Sequence, residues 1–318
     1  MSTEAAPTSV PPGRWRIGLI GYGEVGRILA EELRSRDHGV RAWDLKLGDD
    51  ASAGAMREHA AAHGVVLAGS SAEAAADTEL VICAVTASQT VAAAEATGPG
   101  LAPGVFFLDF NSASPGAKAE AARLVEGAGG RYVEGAVMTS IPPHRLRVPL
   151  LLGGPRAREL EAPLTAIGFA ARVASETLGI ASATKMCRSV MVKGLEAMVI
   201  ESFTAARHYG VEDALVASLR VSFPGIDWER QAAYFFQRVI EHGRRRAEEM
   251  REAAQTVREA GLAPWSAAGT AERQAEIAAL ADAGTFGSRS DAAFARSADW
   301  RAEADRILLT RIKTGAPS

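Results

Sequence analysis

A doubly wound α/β domain followed by a mostly helical second domain is the fold class that this sequence predicts. Three observations predict it. Short apolar runs alternate with helix-length periodic segments through the first half, the pattern of a parallel sheet with helices on both faces. A glycine-rich turn, Gly21 to Gly26, joins the first strand-like run to the first helical one. From about residue 179 strand signals stop and long helical stretches take over.

Taken in order, "RWRIGLIG" (14–21) reads as a strand and "EVGRILAEELRSRD" (24–37) as the helix after it. "GVRAWDL" (39–45) is the next strand, "GAMREHAAAHG" (54–64) a helix and "VVLAG" (65–69) a strand. "ELVICAV" (79–85) and "GVFFLDF" (104–110) are apolar almost without interruption. Such runs suit strands buried on both faces of a parallel sheet. After a helix at about 115–128 come three more strand-like pieces, "RYVEGAVM", "RVPLLLGG" and "ARVAS". Helices are then expected at 180–209, 212–219 and 227–260, with shorter ones to about 313.

Composition excludes several classes. With 318 residues the chain can bury a sizeable core. Its 47% hydrophobic and 23% charged residues are those of a globular domain, and a net charge of -3 gives no reason to expect nucleic acid or an anionic membrane. No apolar run is long enough to span a bilayer. "MSTEAAPTSVPPGR" has no apolar h-region, which argues against a secretory signal and for a cytoplasmic protein. Residues 1–13 are expected to be a disordered lead. The two cysteines make no disulfide framework, and Cys83 and Cys187 are both expected to be small buried hydrophobes.

"GYGEVG" (Gly21, Tyr22, Gly23, Glu24, Val25, Gly26) carries the first chemical signal. Gly21 permits a tight turn, Gly23 lets the backbone approach a pyrophosphate, and Gly26 allows close helix–strand packing. The diphosphate would rest on the helix N-terminus, where N–H groups and the dipole favour anions. Asp44 closes the second strand about 20 residues on, placed to accept from a ribose 2′-hydroxyl and to repel a 2′-phosphate. That favours NAD over NADP, although Lys46 stands near enough to serve a phosphate. Residues 14–178 are therefore expected to form a Rossmann-type dinucleotide-binding domain, and 179–318 a helical substrate or dimerisation domain, joined by a long interdomain helix.

Two further segments follow strands, where open α/β sheets bind ligands. Val85 and Thr86 could line the path to the nicotinamide ribose. In "DFNSASP" (109–115), Asn111 and Ser112 could orient cofactor or substrate; the same residue types are also ordinary turn formers.

"SATKMCRSVMVKGLEAMVI" (182–200) poses the main question. Its apolar residues surround the helix, which predicts burial, yet it contains Lys185, Arg188 and Lys193. Lys193 has a carboxylate at i+3, Glu196, and is expected to pair with it. Lys185 and Arg188 have none at i±3 or i±4. They lie one turn apart and invite either an anionic ligand or acidic partners from elsewhere in the fold. In "HGRRRAEEM" (242–250), Arg244–Glu248 and Arg245–Glu249 have i,i+4 spacing, as a solvated or subunit-facing helix would.

In their order, "GLIGYGEVG", "DFNSASP", "YVEGAVMTS", "LLLGG" and "GIASATKMCRSVMVKG" resemble the β-hydroxyacid dehydrogenase superfamily, which includes the 3-hydroxyisobutyrate and 6-phosphogluconate dehydrogenases. "KMCRSVMVKGLEA" and "HGRRRAEEM" are similar to its phosphogluconate-dehydrogenase-like branch with a C-terminal domain of unknown function. The resemblance covers nearly the whole chain. It implies a Rossmann domain, a helical second domain, usually a homodimer, and Lys185 as the catalytic acid/base. The family's Lys-x-x-Asn-Asn pattern becomes Lys185, Arg188 and Ser189 here. Its Ser-Thr pair becomes Asn111 and Ser112, and its substrate-binding Ser-Gly-Gly becomes Met138, Thr139 and Ser140. By the same analogy His242 or Arg245 would reach the active cleft. An arginine beside the lysine adds a planar fork for a carboxylate or phosphate.

The expected function is thus an NAD(P)-dependent oxidoreductase acting on a small, anionic hydroxy compound, with no nucleic-acid or membrane partner and no metal. Oxidative decarboxylation of a phosphosugar acid is the rival within the fold, disfavoured by the altered Ser-Gly-Gly and the shorter C-terminal part. Imine reduction is another, disfavoured by the retained Lys185. A non-catalytic nucleotide sensor or scaffold is the alternative from a different class.

Overall fold

Alternate residues of the first-half apolar runs feed two separate cores, which is why those runs are continuous. In the computed structural model residues 13–314 are described. The expected disordered lead therefore lies, apart from Gly13, outside the described residues. The chain forms two compact units, Met1–Met186 and Cys187–Ser318.

The first unit contains β1 (Arg16–Ile20), α1 (Glu24–Arg34), β2 (Gly39–Trp43), α2 (Asp50–His63), β3 (Val66–Leu67), α3 (Ser71–Ala75), β4 (Leu80–Cys83) and α4 (Thr90–Thr97). It continues with β5 (Phe106–Asp109), α5 (Pro115–Gly127), β6 (Arg131–Val137), β7 (Leu150–Gly153), α6 (Ala157–Ala166) and β8 (Ala171–Ser175). These build one eight-stranded sheet in the order β3-β2-β1-β4-β5-β6-β7-β8. Every neighbouring pair is parallel except β6 and β7. Leu80 and Ile82 point into the core on one face, Val81 and Cys83 into the core on the other. Such two-sided burial leaves no polar face to alternate with.

Three helices went unsignalled by periodicity: α3, α4 and α6. The first two are short and alanine-rich, so they show little contrast between faces. α6 contains Pro163 near its end, a residue that reads as a break. The strand expected at 65–69 shrinks to two residues, Val66 and Leu67.

α7 (Ile180–Tyr209) begins in the first unit and runs into the second. The second unit continues with α8 (Glu212–Ser222), α9 (Trp228–Glu259), α10 (Trp265–Asp282) and α11 (Trp300–Thr314). Its core gathers Phe203, Trp228, Phe236 and Trp300. α9 and α10 approach closely at Gly243, where a Cβ would stand 2.7 Å from the Gln274 carbonyl oxygen. Among the described residues no helix is long and apolar enough to cross a membrane.

α7 corrects three expectations. It is not buried all round: Met191 is 75% exposed and Met198 61%, and Arg188 is exposed as well. Cys187 lies on this exposed side and is not a buried hydrophobe, whereas Cys83 is fully buried. Lys193 does not pair with Glu196 either. Its ammonium lies 2.6 Å from Glu249 of α9, while Glu196 accepts from the buried Arg246 guanidinium. Both lysine and glutamate are buried, and partners on a neighbouring helix reach them inside the core better than a local i+3 contact. Within 242–250, Arg244 bonds Asp282 of α10 in place of Glu248, and Arg245 keeps a loose 3.9 Å approach to Glu249.

Candidate active site

The carboxyl ends of the parallel strands β1 to β6 place their loops along one edge of the sheet, and the loop after β1 comes first. Gly21 has φ +96°, and a Cβ there would meet the Ala84 carbonyl oxygen at 2.5 Å. A Cβ on Gly26 would meet the Gly21 carbonyl oxygen at 2.1 Å. Gly23 differs: a Cβ on it would find no protein atom within 4 Å. Packing thus demands the first and third glycines, and the middle one leaves open space above the start of α1. Gly23 is the N-cap of α1 and no side chain caps it, so the orphan N–H groups of the first turn suit an anion. The cradle fits the diphosphate of a dinucleotide.

Tyr22 contributes to this loop through its backbone. Its side chain is buried, with the hydroxyl 2.8 Å from His59 Nδ1, and burial pushes the phenol up to about 12. Its N–H donates to Asp44 Oδ2 at 2.7 Å, while Asp44 Oδ1 accepts from the Lys46 N–H at 2.9 Å. The carboxylate is therefore held in place at the end of β2, and each oxygen has a second lone pair for a hydroxyl. Lys46 is exposed beside it. Glu24 is exposed, and Val25 packs against the core.

Beyond the β1–β4 switch point, Asn111 fastens two loops together. Its Oδ1 accepts from the Val85 N–H at 2.8 Å, and its Nδ2 donates to Cys83 Sγ at 3.4 Å. Asn111 is 3% exposed, so its amide positions the loop that carries Thr86, which is exposed. Below it lies a buried group that sequence reasoning missed. Lys118 Nζ stands 2.9 Å from Asp109 Oδ1, the Tyr132 hydroxyl donates to Asp109 Oδ2 at 2.7 Å, and the Asn111 N–H donates to Asp109 Oδ1 at 2.9 Å. Lys118 also donates to the carbonyls of Asp109 and Gly135. The pair is thus supplied with the hydrogen bonds that a buried charge requires. Burial, then the Asp109 charge, raise the Cys83 thiol to about 12 and the Tyr132 phenol well above its ordinary range, so both stay protonated.

Glu134 was missed too. It is fully buried on β6 and accepts from the Gly179 N–H at 2.7 Å and from the Ser182 N–H, both at the start of α7. A carboxylate there satisfies orphan donors and complements the helix dipole. Gly153, its cross-strand partner on β7, leaves the room: a Cβ would lie 2.5 Å from Glu134 Oε2. One turn into α7, the Lys185 ammonium donates to the Ser112 hydroxyl in the loop after β5. Thr139, exposed, and Ser140, half-buried, follow β6 at the same edge. The signals for both missed groups were present: a Glu inside the apolar run "YVEGAV", and a Lys among the alanines of α5.

Four other expected site residues belong to the second unit. Arg188 is exposed. Ser189 is buried, and its hydroxyl accepts from Lys193 Nζ at 3.1 Å. His242 is half-buried, 3.4 Å from Glu241, and burial lowers its pKa. Arg245 is exposed beside Glu249.

Comparison with known proteins agrees with this architecture. Residues 16–143 match the NAD binding domain of 6-phosphogluconate dehydrogenase, and 206–277 match a domain of unknown function (DUF1932). A conserved hypothetical protein of Sinorhizobium meliloti is 35% identical, with 92% of this chain and 96% of that one aligned and a TM-score of 0.71. A conserved protein of unknown function, described as structurally similar to 3-hydroxyacid dehydrogenases, is 29% identical over 84% of this chain and 99% of its own, at TM-score 0.64. The 3-hydroxyisobutyrate dehydrogenase of Mycobacterium tuberculosis, solved with L-serine, shares the fold at 18% identity and TM-score 0.67, covering 92% and 99%.

Proposed function

Because this chain belongs to the family that joins the NAD-binding domain of 6-phosphogluconate dehydrogenase to the DUF1932 domain, we propose that it is an NAD(P)-dependent oxidoreductase acting on the CH–OH group of a small hydroxyacid. The observation that carries this reading is the Lys185–Ser112 hydrogen bond at the same sheet edge as the glycine loop.

The residues divide the work. Backbone N–H groups at the start of α1 hold the diphosphate, with Gly23 leaving room for it. Asp44 accepts from the ribose hydroxyls, which favours NAD over NADP. Asn111 keeps the Val85–Thr86 loop in place beside the cofactor. A bound nicotinamide would supply the hydride acceptor for the substrate carbon, or the donor in the reducing direction. Lys185, acting as the neutral amine, takes the hydroxyl proton as the C–H bond is lost and the carbonyl forms; in the reducing direction its ammonium gives that proton back. Ser112 orients the Lys185 amine and the reacting oxygen. Thr139 and Ser140, at the same sheet edge as Lys185, are the proposed contacts for the anionic end of the substrate, and the proposed working form is a cytoplasmic homodimer.

The test is turnover of a panel of hydroxyacids and their oxo counterparts, with NAD and NADP, in both directions. Lys185→Met is expected to lower kcat by a factor on the order of 10²–10⁴, the usual contribution of a general acid/base, while cofactor affinity stays within about threefold. Unchanged turnover in that variant refutes the acid/base role. A wild-type chain that binds NAD tightly but turns over nothing in the panel is the sensor, not the enzyme.

A further inference from the structure

We propose that Glu31, His59 and His63 form a binding site for a divalent transition-metal ion, with zinc the best match. α1 supplies Glu31, and α2 supplies the two histidines one turn apart. One ligand atom from each residue lies within 4.8 Å of the other two. His59 Nε2 stands 3.0 Å and His63 Nε2 3.9 Å from the same oxygen, Glu31 Oε1. The two imidazole centroids are 4.5 Å apart with their planes inclined at 31°. The hydride-transfer residues include none of the three.

The spacing suits a small ion. Bonds of about 2.0–2.1 Å in a tetrahedral site separate neighbouring ligand atoms by about 3.3 Å. The two approaches to Glu31 Oε1, 3.0 and 3.9 Å, bracket that value, so modest side-chain rotations close the site. Two imidazoles and one carboxylate select zinc, cobalt, nickel or copper over magnesium and calcium. His63 is 39% exposed, which gives an ion a way in and leaves a fourth position for water.

The surrounding contacts are those a metal site uses. A ligating imidazole is normally held through its second nitrogen, and His59 Nδ1 already meets the buried Tyr22 hydroxyl at 2.8 Å. In the ion-free chain His59 Nε2–H donates to Glu31. With the ion bound, the ring proton resides on Nδ1 and is donated to the Tyr22 oxygen. The other side of the carboxylate is fixed as well: Glu31 Oε2 accepts from the Arg145 guanidinium, which also reaches Glu32. That leaves Oε1 directed at the histidines. His59 and Arg145 hold the Glu31 carboxyl below its ordinary range, so it is ionised at neutral pH.

Opposing charge sets the strength. Arg145 stands against Glu31, and Arg34 donates to the His63 carbonyl at 3.2 Å. Glu31 and Glu32 offset these two cations, so the ion enters a site of little net charge. Affinity is expected to fall below that of a closed four-ligand zinc site.

The experiment uses the full, tag-free chain stripped of metal. Titration with Co²⁺ is expected to give ligand-field absorption that saturates at about one ion per chain, without a thiolate charge-transfer band, and that Zn²⁺ abolishes. Zn²⁺ is expected to raise the melting temperature of the wild type, since a ligand that binds only the folded state stabilises it. His63→Ala and His63→Gln are expected to retain the metal-free melting temperature, weaken Co²⁺ binding at least about tenfold, and lose the zinc-induced rise. Equal binding by the His63 variants, a sulfur-type spectrum, or no saturable binding by the wild type overturns the proposal.

Discussion

Lys185 and Ser112 meet through a hydrogen bond that ties the first turns of α7 to the loop after β5. Lysine side chains are long and lose much rotamer freedom when fixed, so an anchored ammonium is an organised one. Ser112→Ala is expected to lower kcat by roughly tenfold, less than loss of Lys185 itself, with cofactor affinity unchanged. Steady-state kinetics beside a nucleotide titration distinguishes this from a binding defect.

The glycine loop separates folding from binding. Gly26→Ala forces a Cβ against the Gly21 carbonyl oxygen and is expected to lower the melting temperature of the nucleotide-binding unit. Gly23→Ala meets no protein atom, so its melting temperature should stay near that of the wild type while NAD affinity falls at least about tenfold. Thermal unfolding with and without NAD reads both effects.

Glu134→Gln replaces one of two accepting oxygens with an amide that faces an N–H. Leaving a buried donor at the α7 start unsatisfied costs about 1–3 kcal/mol. Chemical denaturation should show that loss, and kcat should fall with it, because the same turn leads to Lys185.

The second unit carries a pH-dependent tie. Arg301 holds the Glu229 carboxyl below its ordinary value of 4.5, and the Trp300 indole N–H donates to it at 2.7 Å. A folded pKa below the unfolded one stabilises fully above the unfolded value and ceases to stabilise as pH falls through the folded one. Glu229→Gln is therefore expected to melt below the wild type at pH about 7, and the gap should narrow as the pH falls below the ordinary carboxylate range. Melting curves across that range check the sign.

Much of the nucleotide-binding unit was legible in the sequence because each signal there is local. Gly21, Gly23 and Gly26 follow a strand and open a helix within a few residues, and "ELVICAV" needs no distant context to be read as buried. The pairing of Lys193 was not legible, since Glu249 sits on another helix and nothing near Lys193 announces it. Cys187 was misjudged for a related reason: composition makes α7 apolar all round, but contacts decide which side is covered. The Asp109–Lys118–Tyr132 group escaped because its members come from β5, α5 and β6, so only the fold brings them together. The histidines of α2 carried i,i+4 spacing that sequence reasoning left unused, and Glu31 on α1 completes them only in three dimensions.

Gly153 and Glu134 have a consequence for descent. A methyl group at 153 would displace the carboxylate that starts α7, and a shorter residue at 134 would leave a void with room for a side chain at 153. Neither substitution is tolerated well alone, so the two positions should change together as lineages diverge. Their co-variation across relatives would record, in evolutionary time, how firmly the lysine-bearing helix is moored to the sheet.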